Sequence, residues 1–127
     1  QVGASIQLML AYAKDAETAE VLPKIFINPE LTWISEEKEK DWEGCSCLPG
    51  YKLLVKRSKS IRVLYRDLQS NQIEEDYSGM SARIIQHNYD HLNGRMVIDV
   101  IEKVDDIISE LEYSRRVIEY HRKRLSA

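Results

Sequence analysis

Two histidines, His87 and His91, have a spacing that indicates a chemical role. They are four residues apart in a segment whose apolar residues recur at helical spacing, so both imidazoles would lie on one face of a helix. A divalent metal ion requires this placement from a helical pair of ligands. Cys45 could supply a third ligand as a thiolate, and three protein ligands with one open position are typical of catalytic metal sites. By itself the histidine spacing is a weak signal, because many such pairs are ordinary surface or core residues.

The elements that must position these residues are predicted from hydrophobic periodicity and turn signals. Short apolar runs separated by turn residues favour mostly antiparallel sheet, with Asn28-Pro29 ending one strand because proline cannot donate to a ladder. After Gly79 the period becomes helical, and Asn93-Gly94 is a good stop signal for that helix. The predicted strands cover residues 5–12, 24–27, 31–35, 51–57, 61–67 and 72–77.

Two further segments complete the predicted architecture. The charge cluster at residues 36–41 favours a solvated loop, and the apolar stripe of residues 104–125 predicts a last, amphipathic helix. The predicted fold class is therefore α+β, with antiparallel sheets around a central metal-binding helix and a C-terminal amphipathic helix. We expect residues 1–127 to form a single domain.

Composition and charge limit the possible functions. The chain has 127 residues, of which 43% are hydrophobic and 31% charged, which disfavours disorder. No apolar run reaches the roughly 18 residues that a membrane span needs, and no secretory leader is visible, so we expect no membrane partner. The net charge of −3 excludes a globally basic nucleic-acid binder. Residues 113–127 nevertheless carry five basic residues and one acidic residue, which indicates either an anionic partner or complementarity to a helix dipole.

Several segments resemble the peptide deformylases, in the right order along the chain. Residues 43–50 (EGCSCLPG) resemble their second motif, EGCLSxPG, and residues 86–94 (QHNYDHLNG) resemble their third, QHExDHLxG. Gln1-Val2-Gly3 resembles the end of their first motif, whose glycines would precede residue 1. The resemblance covers essentially the whole chain. It implies a deformylase-like fold and, as the activity, hydrolysis of the N-formyl group from the initiator methionine of nascent chains.

The resemblance implies one metal ion and its ligands. The family uses Fe(II) or a substituting Zn(II), Ni or Co ion, and the ligands here would be Cys45, His87 and His91. Asp90 and Glu43 would orient groups around the metal.

The resemblance also implies roles in substrate binding. Gln1 and the backbone N–H of Ser46 would bind the carbonyl oxygen in the transition state. Ile84 would line the pocket for the methionine side chain.

Asn88 departs from the family pattern at the position of the catalytic glutamate. That carboxylate takes a proton from the attacking water and later delivers it to the leaving amine, whereas an amide is not basic near neutral pH. Losing general acid–base catalysis costs about 10²–10⁴ in rate. We therefore expect a pseudoenzyme that keeps the metal site and has lost most or all deformylase activity. The alternative is an active deformylase with an altered mechanism.

Cys47 is a second departure, since the family has serine there. In an extended segment residues i and i+2 point to the same side, so Cys47 could join Cys45 and the two histidines around Zn(II). Such a closed site would be structural and would suit a non-catalytic interaction module. Alternatively, Cys47 is a small buried residue that replaces serine.

Partners and location also follow from the resemblance. The substrate would be a formyl-Met nascent peptide. Many bacterial deformylases end in a basic helix that docks on the ribosome, and residues 113–127 are similar in kind. We expect a monomer that associates with the ribosome through this helix, in the cytoplasm of a bacterium or in an organelle matrix.

Overall fold

The computed structural model describes residues 6–15, 19–45 and 48–126. The chain divides into two compact units. Unit 1 comprises the described residues of 1–39 and 57–95, and unit 2 those of 40–56 and 96–127. The elements are β1 (Leu8–Lys14), β2 (Val21–Ile34), β3 (Lys38–Glu43), β4 (Tyr51–Ser58), β5 (Ser60–Arg66), β6 (Gln72–Ser78), α1 (Gly79–Leu92), β7 (Ile107–Ser109) and α2 (Glu110–Ser126), with 3₁₀ turns at Val97–Asp99 and Val104–Asp106.

Unit 1 is built on a four-stranded antiparallel sheet in the order β1-β2-β5-β6. Alternate residues of a strand point to opposite faces, which gives the sheet an apolar inner face. In β1 the inner residues Met9, Ala11 and Ala13 are buried, while their neighbours are exposed. Phe26 of β2 is fully buried on this face and meets Tyr65 of β5 edge to face, with 4.6 Å between ring centroids.

The strand expected to end at Asn28-Pro29 continues, so that prediction was wrong. Strand β2 runs unbroken from Val21 to Ile34. Asn28 has φ of 49°, in the left-handed region that asparagine tolerates better than most residues. The pairing of β2 with β5 shifts register between Ile27 and Glu30. An irregular stretch of ladder can hold a proline, because the missing N–H is not needed where regular pairing is interrupted.

Helix α1 packs on the inner face of this sheet, as its periodicity predicts. Ala82 and Ile85 are fully buried in the same cluster as the strand residues. The helix ends as expected: Asn93 is its C-cap, and Gly94 has φ of 79°, which glycine adopts without strain.

Unit 2 contains most of the smaller sheet, whose strand order is β3-β4-β7, and helix α2. Arg57 and Ser58, at the end of β4, belong to unit 1. Its core consists of Leu53, Val55 and Val97, with Ile107 packed against them. Helix α2 rests on β3 through an edge-to-face contact between Tyr113 and Trp42, whose ring centroids are 6.1 Å apart.

Two predictions for unit 2 and its border were wrong. The expected loop at residues 36–41 is replaced from Lys38 onward by strand β3, which forms through pairing with β4 although its side chains are mostly exposed. The expected helix at residues 104–125 begins only at Glu110. Residues 107–109 instead pair with β4, and Ile107 packs on Leu53, so tertiary pairing outweighs the helical period there.

The predicted α+β class, with antiparallel sheets and a C-terminal helix, is confirmed. That residues 1–127 form a single domain stays a prediction. Among the described residues, no helix has both the length and the apolar character needed to cross a membrane.

A polar cluster lies within the inner face of the unit 1 sheet. The carboxylate of Glu75 accepts hydrogen bonds from the hydroxyl groups of Tyr65 and Tyr77, the latter at 2.8 Å. Lys24 places its Nζ 3.3 Å from the same carboxylate. Burial alone would raise the pKa of Glu75, but the two tyrosine hydrogen bonds and the charge of Lys24 outweigh it and lower that pKa.

We expect Glu75→Gln to lower the free energy of unfolding at neutral pH by about 1–3 kcal/mol, the size of hydrogen bonds to a charged group. Because the native pKa lies below the ordinary value of 4.5, the stabilisation is present above that value and is lost as the pH falls through the native pKa. The difference between wild type and variant should therefore shrink in acid. Urea unfolding at about pH 7 and about pH 3 measures it. Glu74→Gln, a neighbouring exposed substitution, is the control, and a Glu75→Gln difference independent of pH would contradict this explanation.

Candidate metal centre

Helix α1 brings His87 and His91 side by side, as their spacing predicts. The two imidazoles stack with 4.7 Å between ring centroids and 29° between their planes, and both side chains are half-buried. Burial, followed by the charge of His87, lowers the pKa of His91. This favours neutral imidazole, the form that binds a metal ion.

The neighbouring face of α1 is held by two polar contacts. Asp90, placed between the histidines in sequence, pairs with Arg57 at the end of β4, and Arg57 is only 6% exposed. Gln86 precedes the pair and hydrogen-bonds through its side-chain amide to the backbone of Ser58. The expectation that Asp90 orients a metal ligand stays a prediction, but its side chain is anchored beside the histidines.

Asn88 lies on the far side of the histidines and is folded back onto its own helix. Its Nδ2 donates a hydrogen bond to the carbonyl oxygen of Ile84 at 3.0 Å. An ionised carboxylate has no proton to donate, so a glutamate at this position could not make this hydrogen bond. Ile84 is half-buried against the core of unit 1, and its role in a methionine pocket stays a prediction.

Cys45 and Glu43 belong to unit 2. Glu43, the last residue of β3, is buried, and Cys45 is half-buried. Cys45 lies against a small pocket of about 160 Å³ whose other walls are apolar, formed by Leu48, Met96, Val97 and Ile98.

Three of the predicted site residues, Gln1, Ser46 and Cys47, lie outside the described residues. Their roles in binding the carbonyl oxygen, or in a closed zinc site, stay predictions.

The side chains predicted as metal ligands carry donor atoms that are typical of transition-metal sites. Cys45 offers its Sγ, and His87 and His91 each offer one ring nitrogen. Thiolate and imidazole are ligands of Zn(II) and of iron, whereas Mg(II) and Ca(II) require oxygen ligands. The chemistry of these side chains therefore fits the metal that the sequence predicts, without selecting between Fe(II) and Zn(II).

Arg57 and Gln86 were not predicted from the sequence as functional residues. The sequence did indicate that Arg57 has a partner, because it is a charged residue near the C-terminal end of a strand with alternating apolar residues, and a buried charge requires a partner. Gln86 carried no such signal, because its partner is the backbone of a residue distant in sequence.

Comparison with known proteins identifies close similarities. The family model described as Polypeptide deformylase matches residues 1–106. The peptide deformylase of Pseudothermotoga lettingae is 46% identical over 79 residues, which are 62% of this chain and 46% of that protein. The peptide deformylase of Bartonella tribocorum is 35% identical over 105 residues, covering 82% of this chain and 59% of that protein. The chain thus spans about half the length of the curated relatives it matches.

Solved structures show the same likeness. The peptide deformylase of Thermotoga maritima matches with a TM-score of 0.62 at 41% identity, covering 64% of this chain and 55% of that one. A Met-Ala-Ser-bound peptide deformylase of Acinetobacter baumannii matches with a TM-score of 0.64 at 29% identity, covering 75% of this chain and 62% of that one.

Proposed function

This chain belongs to the peptide deformylase family, and on that premise we propose that it binds one divalent metal ion through Cys45, His87 and His91. The observation that carries the proposal is the stacked pair of half-buried imidazoles on α1. Cys45 joins them because it occupies the cysteine position of the second family motif and offers a thiolate. When bound, such an ion polarises a carbonyl group and activates water near neutral pH.

The proposed ligand of this site is the formyl-Met end of a nascent peptide. In this proposal, the Gln1 amide and the Ser46 backbone N–H hold the formyl oxygen, and Ile84 borders the methionine side chain. The motif positions of these residues support the assignment.

We propose that hydrolysis at this site is lost or strongly reduced. Asn88 stands where family members have the glutamate that moves the proton, and its amide has no basic atom near neutral pH. The hydrogen bond from its Nδ2 to Ile84 further occupies the side chain. The protein would then recognise formylated chain ends and release them mostly uncleaved.

Zinc or iron should bind to the intact protein with one equivalent per chain. We expect Cys45→Ser and His87→Ala each to lower the affinity at least 100-fold, because each removes one of three ligands and the remaining two hold the ion weakly. Chelator competition with Zn(II) measures the dissociation constant. His121→Ala, which removes an exposed histidine of α2, is the matched control and should leave the affinity unchanged. Equal affinity in His87→Ala and His121→Ala would refute the ligand assignment.

Asn88→Glu should raise the rate of deformylation of a formyl-Met peptide by about 10²–10⁴, the usual contribution of a positioned acid–base group. The comparison requires protein loaded with the same metal in each case. Asn88→Gln has the length of glutamate without its basicity, so it should show no gain. An unaltered protein as fast as an ordinary deformylase would instead favour the altered-mechanism alternative and overturn the proposed loss.

We also propose that α2 associates with ribosomal RNA. Within the helix, Arg115 and Arg116 pair with Glu112 at 2.7 and 3.0 Å. Arg122, Lys123 and Arg124 form a consecutive, exposed basic group at the C-terminal end of α2. Three adjacent cations there also complement the helix dipole, so the distinction from a purely structural role depends on measured binding.

Replacing Arg122, Lys123 and Arg124 together with Gln should weaken sedimentation with ribosomes. Each lost phosphate contact lowers the slope of log affinity against log salt by about one unit, so the slope should fall by about three. A variant with Gln at Lys38, Arg66 and Lys103 loses the same charge outside α2 and serves as the control. Equal salt dependence in both variants would count against an RNA-binding role for α2.

A further inference from the structure

We infer that Arg57 and Gln86 are positioning residues for the metal site: together they fix the rotation of α1 about its axis and so aim His87 and His91. The inference rests on the proposed metal site. It adds two residues, neither of them a ligand, to the set on which metal affinity depends.

The contacts that carry the inference are buried and directional. Gln86, which is 9% exposed, accepts a hydrogen bond from Ser58 N at 3.1 Å and donates one to Ser58 O at 2.8 Å. A further bond runs from Gln86 to the carbonyl of Ala82, one turn earlier. Arg57, the residue before Ser58, donates to the carboxylate of Asp90. Two adjacent residues of β4 are therefore hydrogen-bonded to positions 86 and 90 of α1, which are one helical turn apart.

These two positions stand directly beside the ligands. At about 100° per residue, positions 86 and 90 form one stripe of the helix, and positions 87 and 91 form the next. A stripe held by hydrogen bonds of fixed direction prevents the helix from turning. The apolar contacts of Ala82 and Ile85 resist such a turn less, since dispersion has little directional preference.

A small rotation is enough to matter. Side-chain ends lie about 5–6 Å from a helix axis, so a turn of about 10° moves them by about 1 Å. Metal–ligand distances tolerate only about 0.2 Å. Groups that orient metal ligands therefore influence affinity by about 10- to 100-fold.

The experiment measures Zn(II) dissociation constants and the Co(II) absorption spectrum of the intact protein and of two variants, Gln86→Leu and Arg57→Lys, here called the clamp variants. Gln86→Leu removes the contacts to Ser58, and Arg57→Lys keeps the charge but loses the planar guanidinium. Arg62→Lys is the matched control, because it makes the same substitution at an arginine whose ion pair, with Asp76 on the four-stranded sheet, is exposed. Val63→Ala, a core substitution in unit 1, controls for general loss of stability, which urea unfolding measures for every variant.

We expect Gln86→Leu and Arg57→Lys to bind Zn(II) about 10- to 100-fold more weakly and to shift the Co(II) bands. Arg62→Lys and Val63→Ala should match wild type in both readouts. Wild-type affinity and spectrum in both clamp variants would overturn this inference while leaving the metal site standing. The inference fails equally if Val63→Ala weakens binding as much as the clamp variants do. Failure of the unaltered protein to bind one equivalent would overturn the proposed function and this inference with it.

Discussion

The packing of α1 on the inner face of the unit 1 sheet is the constraint on which the candidate site depends. One side of the helix is committed to the core through Ala82 and Ile85. The side of the helix away from this core carries His87 and His91. The polar contacts of Gln86 and Asp90 lie between these two sides. A single helix of 14 residues therefore carries both core residues and the predicted metal ligands.

That arrangement supports the proposal of a metal site without hydrolysis. The polar contacts that anchor α1 to β4 are made by Gln86 and Asp90. Asn88 instead donates its side-chain hydrogen bond to Ile84 of its own helix. The side-chain hydrogen bond of Asn88 is therefore separate from the polar contacts that anchor α1 beside the histidines. In the proposed function, metal binding and hydrolysis therefore depend on different residues of α1.

The features that were predicted correctly depend on residues that are close together in sequence. The spacing of His87 and His91 and the end of α1 at Asn93 each follow from residues close in sequence. The continuation of β2 past Pro29 and the pairing of Ile107 with Leu53 did not follow, because both depend on a strand distant in sequence. The Gln86–Ser58 contact has the same origin, since it joins residues 28 apart. The proposed catalytic and metal-ligating positions come from motif resemblance, which carries information that periodicity lacks.

The metal site that we propose is open and has one sulfur ligand and two imidazole ligands. X-ray absorption spectroscopy of the protein loaded with one equivalent of Zn(II) tests it most directly, because the first coordination shell separates sulfur at about 2.3 Å from nitrogen at about 2.0–2.1 Å. We predict one sulfur, two imidazole nitrogens and one further light atom. Two sulfurs would indicate a closed site that includes Cys47, and a shell without imidazole would remove the histidines of α1; either result would contradict the claim.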